Sequence, residues 1–109
     1  MLTRLAYICF VNRKYIESEK YFRICGELVP RVTKNPASIF NAKRNILTLY
    51  TYSDIDKAEK YGENMMLDLE DFLPAHNKEL ILMMGNVNFL KGDRLKAKHL
   101  YRHGLKLAP

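Results

Sequence analysis

Residues 81–109, ILMMGNVNFLKGDRLKAKHLYRHGLKLAP, are the stretch on which the fold of this 109-residue chain turns. Two segments with helical spacing of apolar residues meet at Gly92-Asp93, and the second closes on Pro109. A glycine just past a helix end can take the left-handed backbone conformation, and an aspartate beside it can cap the helix that follows. The stretch is therefore predicted to be a helix–turn–helix hairpin. Gly85 and Ala97 are expected to touch where the two helices come closest, because a larger side chain there would push them apart.

The same pattern occurs twice more upstream. Ala6, Ile46 and Gly85 mark the first helices at steps of 40 and 39 residues, and Ser18, Ala58 and Ala97 mark the second helices at the same steps. Two independent markers with one period define an internal repeat. The first unit runs through Leu2, Leu5, Ala6, Cys9, Ser18, Phe22 and Pro30; the second through Ala42, Asn45, Ile46, Leu49, Ala58, Gly62 and Glu70. Ile46 is bulky and Gly62 replaces an aromatic, so the middle pair of helices is expected to pack less closely. Helices are predicted over 2–12, 15–29, 36–52, 54–70, 75–91 and 94–107, grouped into units 1–30, 36–72 and 74–109 of one all-α domain. Asn35-Pro36 reads as an N-cap followed by proline in the first turn, Pro74 likewise opens a helix, and Asp54 and Asp93 open the fourth and sixth with favourable N-terminal charge.

Composition fits a single globular domain, with 48% hydrophobic and 28% charged residues. The longest apolar run, residues 5–11, falls far short of the roughly 20 residues that span a bilayer. Cys9 and Cys25 lie on the apolar sides of their helices and read as buried thiols in a reducing, intracellular compartment, cytoplasmic or organellar. The first sixteen residues carry Arg4, Arg13 and Lys14 and no acid, a feature shared with mitochondrial targeting segments. No phosphate-binding glycine loop occurs, and no serine or cysteine has a histidine and an acid spaced to activate it. His99 and His103 have the spacing of a metal pair but lack a third ligand, so they read as solvated residues. Neither catalysis, a metal nor a cofactor is expected. Met65, Met66, Met83 and Met84 fall at or beside core positions.

Charge is uneven. Residues 54–71 hold seven acids against Lys57 and Lys60, whereas residues 91–106 hold six Lys/Arg against Asp93. Arg94, Lys98, Arg102 and Lys106 recur every four residues along the last helix, a stripe that reads either as a solvated face or as a contact for RNA, an acidic peptide or a lipid surface.

The hairpin spacing resembles the tetratricopeptide repeat, whose pattern is W-x2-L-G-x2-Y…A-x3-F…P. Ile81, Met84, Gly85, Asn88, Ala97, Tyr101 and Pro109 match its positions, with isoleucine for tryptophan and asparagine for tyrosine. A unit of that family has about 34 residues; the surplus here falls between hairpins and lengthens the first helices. The resemblance implies a right-handed α-solenoid of three hairpins and six helices, in which the first helices line a concave groove and stacking supplies the core.

It further implies a non-enzymatic interaction module, an adaptor or scaffold holding a protein or peptide partner. Carried over position by position, the groove is Tyr7, Phe10 and Val11 in the first unit; Lys43, Leu47, Tyr50 and Thr51 in the second; Leu82, Asn86, Phe89 and Leu90 in the third. Phe10, Tyr50 and Phe89 place an aromatic at one position of every unit, which favours a hydrophobic or amphipathic segment with Lys43 as an anionic contact. Thr3, Tyr7, Leu82 and Met83 stand where a carboxylate clamp for the tails of Hsp70 or Hsp90 would need polar groups, so such a tail is not the expected ligand. The alternatives are a nucleic-acid-binding helical repeat that uses the basic stripe and a structural subunit or assembly factor of an organelle complex. An uncovered sixth helix, through Leu100, Tyr101 and Leu105, is expected to self-associate or be covered by another chain.

Overall fold

Three of the helices start where an asparagine or aspartate side chain caps the first turn. The structure, a computed structural model describing residues 2–107, contains α1 (Leu2–Val11), α2 (Tyr15–Val32), α3 (Pro36–Ser53), α4 (Ile55–Met66), α5 (Pro74–Lys91) and α6 (Arg94–Lys106). A 3₁₀ turn covers Leu69–Asp71, and no strand occurs among the described residues. Pro109, the closing position of the third unit, lies outside them. The Asn35 side chain accepts from the Ala37 amide at 2.9 Å ahead of Pro36 at the first helical position. Asp54 both ends α3, donating its amide to the Tyr50 carbonyl, and caps α4 by accepting from the Lys57 amide. Asp93 caps α6 by accepting from the Lys96 amide at 3.1 Å.

Two of the three tight turns share one geometry. At the end of α5, Gly92 has φ 93°, and the Asp93 amide reaches back to the Asn88 carbonyl at 2.9 Å. At the end of α1, Arg13 has φ 61°, and the Lys14 amide reaches back to the Cys9 carbonyl at 2.8 Å. Both are left-handed helix stops, and the one at Arg13 is made by a non-glycine residue.

Two helix ends differ from expectation. Helix α2 does not stop before Pro30 but runs through it to Val32, with Thr33 donating to the Val29 carbonyl. The carbonyl that a proline ring crowds belongs to the residue four back, here Gly26. Helix α4 stops at Met66 rather than near residue 70. Asp68, Glu70 and Asp71 would place negative charge on the carbonyl end of a longer helix, which the helix dipole disfavours. The chain turns instead and sends Phe72 inward, edge-on to the buried Phe40 at 5.2 Å, while His76 stacks on the same ring at 4.4 Å.

Each helix packs on the next in sequence, and α3 also meets α5. The α5–α6 contact is the most extensive, and α3–α4 is looser than either outer pair. Helix α3 is central, burying Phe40, Ala42, Ile46, Leu47, Leu49 and Tyr50. Met65 and Met84 are buried and Met66 and Met83 half-buried beside them. Cys9 and Cys25 are half-buried free thiols rather than fully buried ones, with the Cys25 sulfur 3.4 Å from the Thr3 hydroxyl.

Small residues mark the close approaches. Ser18 is buried and donates its hydroxyl to the Ala6 carbonyl at 2.9 Å. Gly62 admits Met84 from α5. Gly85 faces the Tyr101 ring, which a β-carbon would meet at 2.6 Å, so Tyr101 is the nearest side chain to it in the third hairpin. An aromatic ring two turns along α6 fills the space that the missing side chain leaves. Gly85→Leu is expected to overpack this contact and cost about 1–3 kcal/mol. A thermal melt checks it, and an unchanged midpoint contradicts the assignment.

Candidate functional site

Helices α1, α3 and α5 expose one side together, and a line of polar and aromatic residues runs across it. The Tyr7 hydroxyl of α1 donates to the Asn45 side chain of α3 at 2.9 Å. Phe10 lies between Tyr15 and Tyr52, with the Tyr52 ring edge-on at 5.5 Å. A cleft of about 180 Å³ between α3 and α5 is lined by Thr48, Thr51, Tyr52, Met83 and Asn86. Thr48 also borders a separate crevice against α1, lined by Tyr7, Phe10, Phe22, Asn45, Thr48 and Leu49, that leaves only about 10 Å³ of free space. Tyr7 and Val11 are exposed on α1, and Val11 lines neither cleft.

The contribution of α3 is turned relative to expectation. Leu47 is 0% exposed and Tyr50 3%, so both belong to the core and not to the groove. The Tyr50 hydroxyl donates to Glu19 at 2.8 Å and accepts from Arg23 at 2.9 Å, both on α2. Lys43 points toward α4, with its ammonium 3.9 Å from Asp68 and 5.7 Å above the Phe72 ring. It borders a recess of about 340 Å³ between the start of α3 and the turn after α4, and recesses of about 200 and 110 Å³ against α4, the first of these also reaching α2. Of the four α3 residues expected to line the groove, only Thr51 does so, and its hydroxyl is held by the Leu47 carbonyl at 2.8 Å.

The groove side of α3 is Asn45, Thr48 and Tyr52. These three follow helical spacing and are the polar side of the helix, so the amphipathicity of α3 on its own marks them. Extending the repeat step from the other units put the wrong side forward. The aromatic of the middle unit is Tyr52, 69% exposed, in place of Tyr50.

On α5, Asn86 is exposed and accepts from the Tyr101 hydroxyl at 2.6 Å. Phe89 and Leu90 are exposed, with the Arg94 guanidinium 5.8 Å over the Phe89 ring. Leu82 instead packs on α6, where a β-carbon at Gly104 would meet it at 2.7 Å. Leu82 therefore leaves the groove set.

The stripe of α6 is on the surface: Arg94, Lys98, Arg102 and Lys106 are all exposed. Leu100 and Tyr101, expected to be bare on this helix, are packed inward, and only Leu105 of the three is exposed. No group of three or more His, Cys, Asp or Glu able to hold a metal ion occurs among the described residues. No helix of the structure is long and apolar enough to cross a membrane. Comparison with protein-family models, with curated proteins and with solved structures finds no match.

Behind the groove, Tyr50 and Tyr61 pack edge-to-face at 5.7 Å. Burial raises the Tyr50 hydroxyl above the usual phenol value, reinforced by its bond to Glu19. Burial pushes Tyr61 up to about 12. A phenol that stays protonated in the fold but ionises near 10 in the unfolded chain contributes stability fully present below pH 10 and lost as pH rises toward 12. Tyr61→Phe is expected to reduce this alkaline loss by on the order of 1 kcal/mol at pH 11, after allowance for partial exposure. Denaturant melts of both proteins at pH 8 and pH 11 measure the difference; equal losses contradict it.

Proposed function

We propose that this chain is a protein-interaction module of tetratricopeptide-like design, three stacked hairpins whose first helices form the binding surface. The observation that carries the reading is the continuous side of α1, α3 and α5, where the exposed ring of Tyr52 stands between Phe10 and the amide of Asn86. Its chemistry differs from that of a purely apolar groove. Asn45, Thr48, Thr51 and Asn86 offer hydrogen-bonding groups, and Tyr7, Phe10 and Tyr52 offer amphipathic or aromatic surface.

That mixture suits an extended peptide better than the apolar face of a helix. Side-chain amides can satisfy the exposed backbone N–H and C=O groups of an extended strand, whereas a helix satisfies its own. Aromatic rings supply the anchoring area, the usual source of most binding energy in such interfaces. The role is binding, not catalysis.

Selection of peptides from a displayed random library, followed by affinity measurement on the winners, tests the proposal. Tyr52→Ala is expected to weaken a selected peptide by about 1–3 kcal/mol with the melting temperature unchanged. Tyr50→Ala, by contrast, removes a core ring and is expected to cost about 3–5 kcal/mol of stability. Selected peptides whose affinity ignores Tyr52 and Asn86 would place binding elsewhere and overturn the reading.

A further inference from the structure

The cations near the end of the chain divide between two sides of the molecule. Lys91 reaches back to α4, 3.1 Å from Asp56 and 2.7 Å from Glu59, and Lys96 lies 4.0 Å from Glu63. These two offset acids of α4. Arg94, Lys98, Arg102 and Lys106 are exposed and form no ion pair among the described residues. Helix α6 contains no acidic residue, and Asp93 before it is occupied as the helix cap.

The same face carries aliphatic side chains. Leu95 is 67% exposed and Leu105 70%. Leu95, Lys98, Arg102 and Leu105 follow one another at three-, four- and three-residue steps, which confines them to an arc of roughly 80° at about 100° per residue. Ala97 and Gly104 occupy the buried side. One helix thus turns leucines and unpaired cations outward together.

We propose that the outer face of α6 docks on an anionic lipid bilayer. Its cations would meet the headgroup phosphates and carboxylates, and Leu95 and Leu105 would enter the boundary with the acyl chains, as for helices that lie in the membrane plane. Charge and shape select this occupant over others. A second copy would bring two sets of four unpaired cations together with no acid between them. A nucleic acid would use the cations, but a leucine neither stacks on a base nor pairs with a phosphate, so the two leucines would stay in water. Attachment is peripheral, through a helix that remains folded on α5.

Flotation of the full chain with vesicles of equal parts phosphatidylcholine and phosphatidylserine, and with phosphatidylcholine alone, tests the proposal. Binding to the mixed vesicles only, weakening as salt is raised, is expected. Lys98→Glu with Arg102→Glu is expected to lower vesicle affinity by roughly thirtyfold, taking each lost cation as about fivefold. Leu95→Ser with Leu105→Ser is expected to lower it by roughly tenfold. All four side chains are exposed, and unchanged helical circular dichroism confirms that these variants fold. The leucine variant decides between lipid and nucleic acid, so a single-stranded RNA oligonucleotide is titrated in parallel. Vesicle binding that ignores the leucines, or tight RNA binding lost only on charge reversal, overturns the proposal in favour of a nucleic-acid surface. Absence of binding to the mixed vesicles at low salt overturns it outright, as does sedimentation showing an oligomer that the leucine variant dissolves.

Discussion

The hydroxyl of Tyr50, shared between Glu19 and Arg23, sets how the central helix is turned. Helix α3 packs on α2 and α4 and meets α5, so its rotation about its own axis decides what every neighbour touches. The Glu19–Tyr50–Arg23 contacts, at 2.8 and 2.9 Å, anchor one side of the helix to α2, and the Tyr61 ring closes over that side from α4. A helix is rigid around its circumference, so fixing Tyr50 inward turns Asn45, Thr48 and Tyr52 outward toward α1 and α5. The partly buried position of the group makes the hydrogen bonds consequential, because a phenol hydroxyl left there without partners would lose its water contacts for nothing in return.

That dependence explains why the hairpins were legible in the sequence and the groove only partly. The turns at Asn35-Pro36, Asp54 and Gly92-Asp93 are local chemistry, a capping side chain or a left-handed residue within a few positions, and the structure contains them. The middle pair does share less contact than either outer pair, but Ile46 lies against Gly26 of α2 and Gly62 admits Met84 of α5, so the bulk of Ile46 is not what separates α3 from α4. The rotation of α3 depends on residues 27 and 31 positions away, which no repeat period encodes. A period carries positions from one unit to the next only where the same neighbours recur, and Glu19 and Arg23 serve one unit alone. The periodicity of α3 by itself held the better signal. The left-handed stop at Arg13 was hidden for a different reason: glycine is the usual residue there, and arginine gives no warning. Likewise Gly85 announced a close approach without naming Tyr101 as the group that fills it.

Charge counted by segment misleads in the same way. Residues 54–71 are strongly acidic, yet most of that acid already has a task inside the chain: Asp54 caps α4, Asp56 and Glu59 hold Lys91, Glu63 meets Lys96, and Asp68 meets Lys43. Exposed pairs of this kind add little stability. Their larger effect is to cancel one another's field, so the acidic run offers a partner much less than its count suggests. The basic run of residues 91–106 loses only Lys91, at the end of α5, and Lys96 to such pairing. What a charged partner meets is the remainder after these internal pairings, and along α6 that remainder is wholly positive, since the helix carries no acid. An attractive field of that sign, on a face that also exposes leucines, has its counterpart where anionic groups and hydrocarbon lie within a side chain's length of each other. That positive face adjoins α5 through Arg94, whose guanidinium lies 5.8 Å over the exposed Phe89 ring.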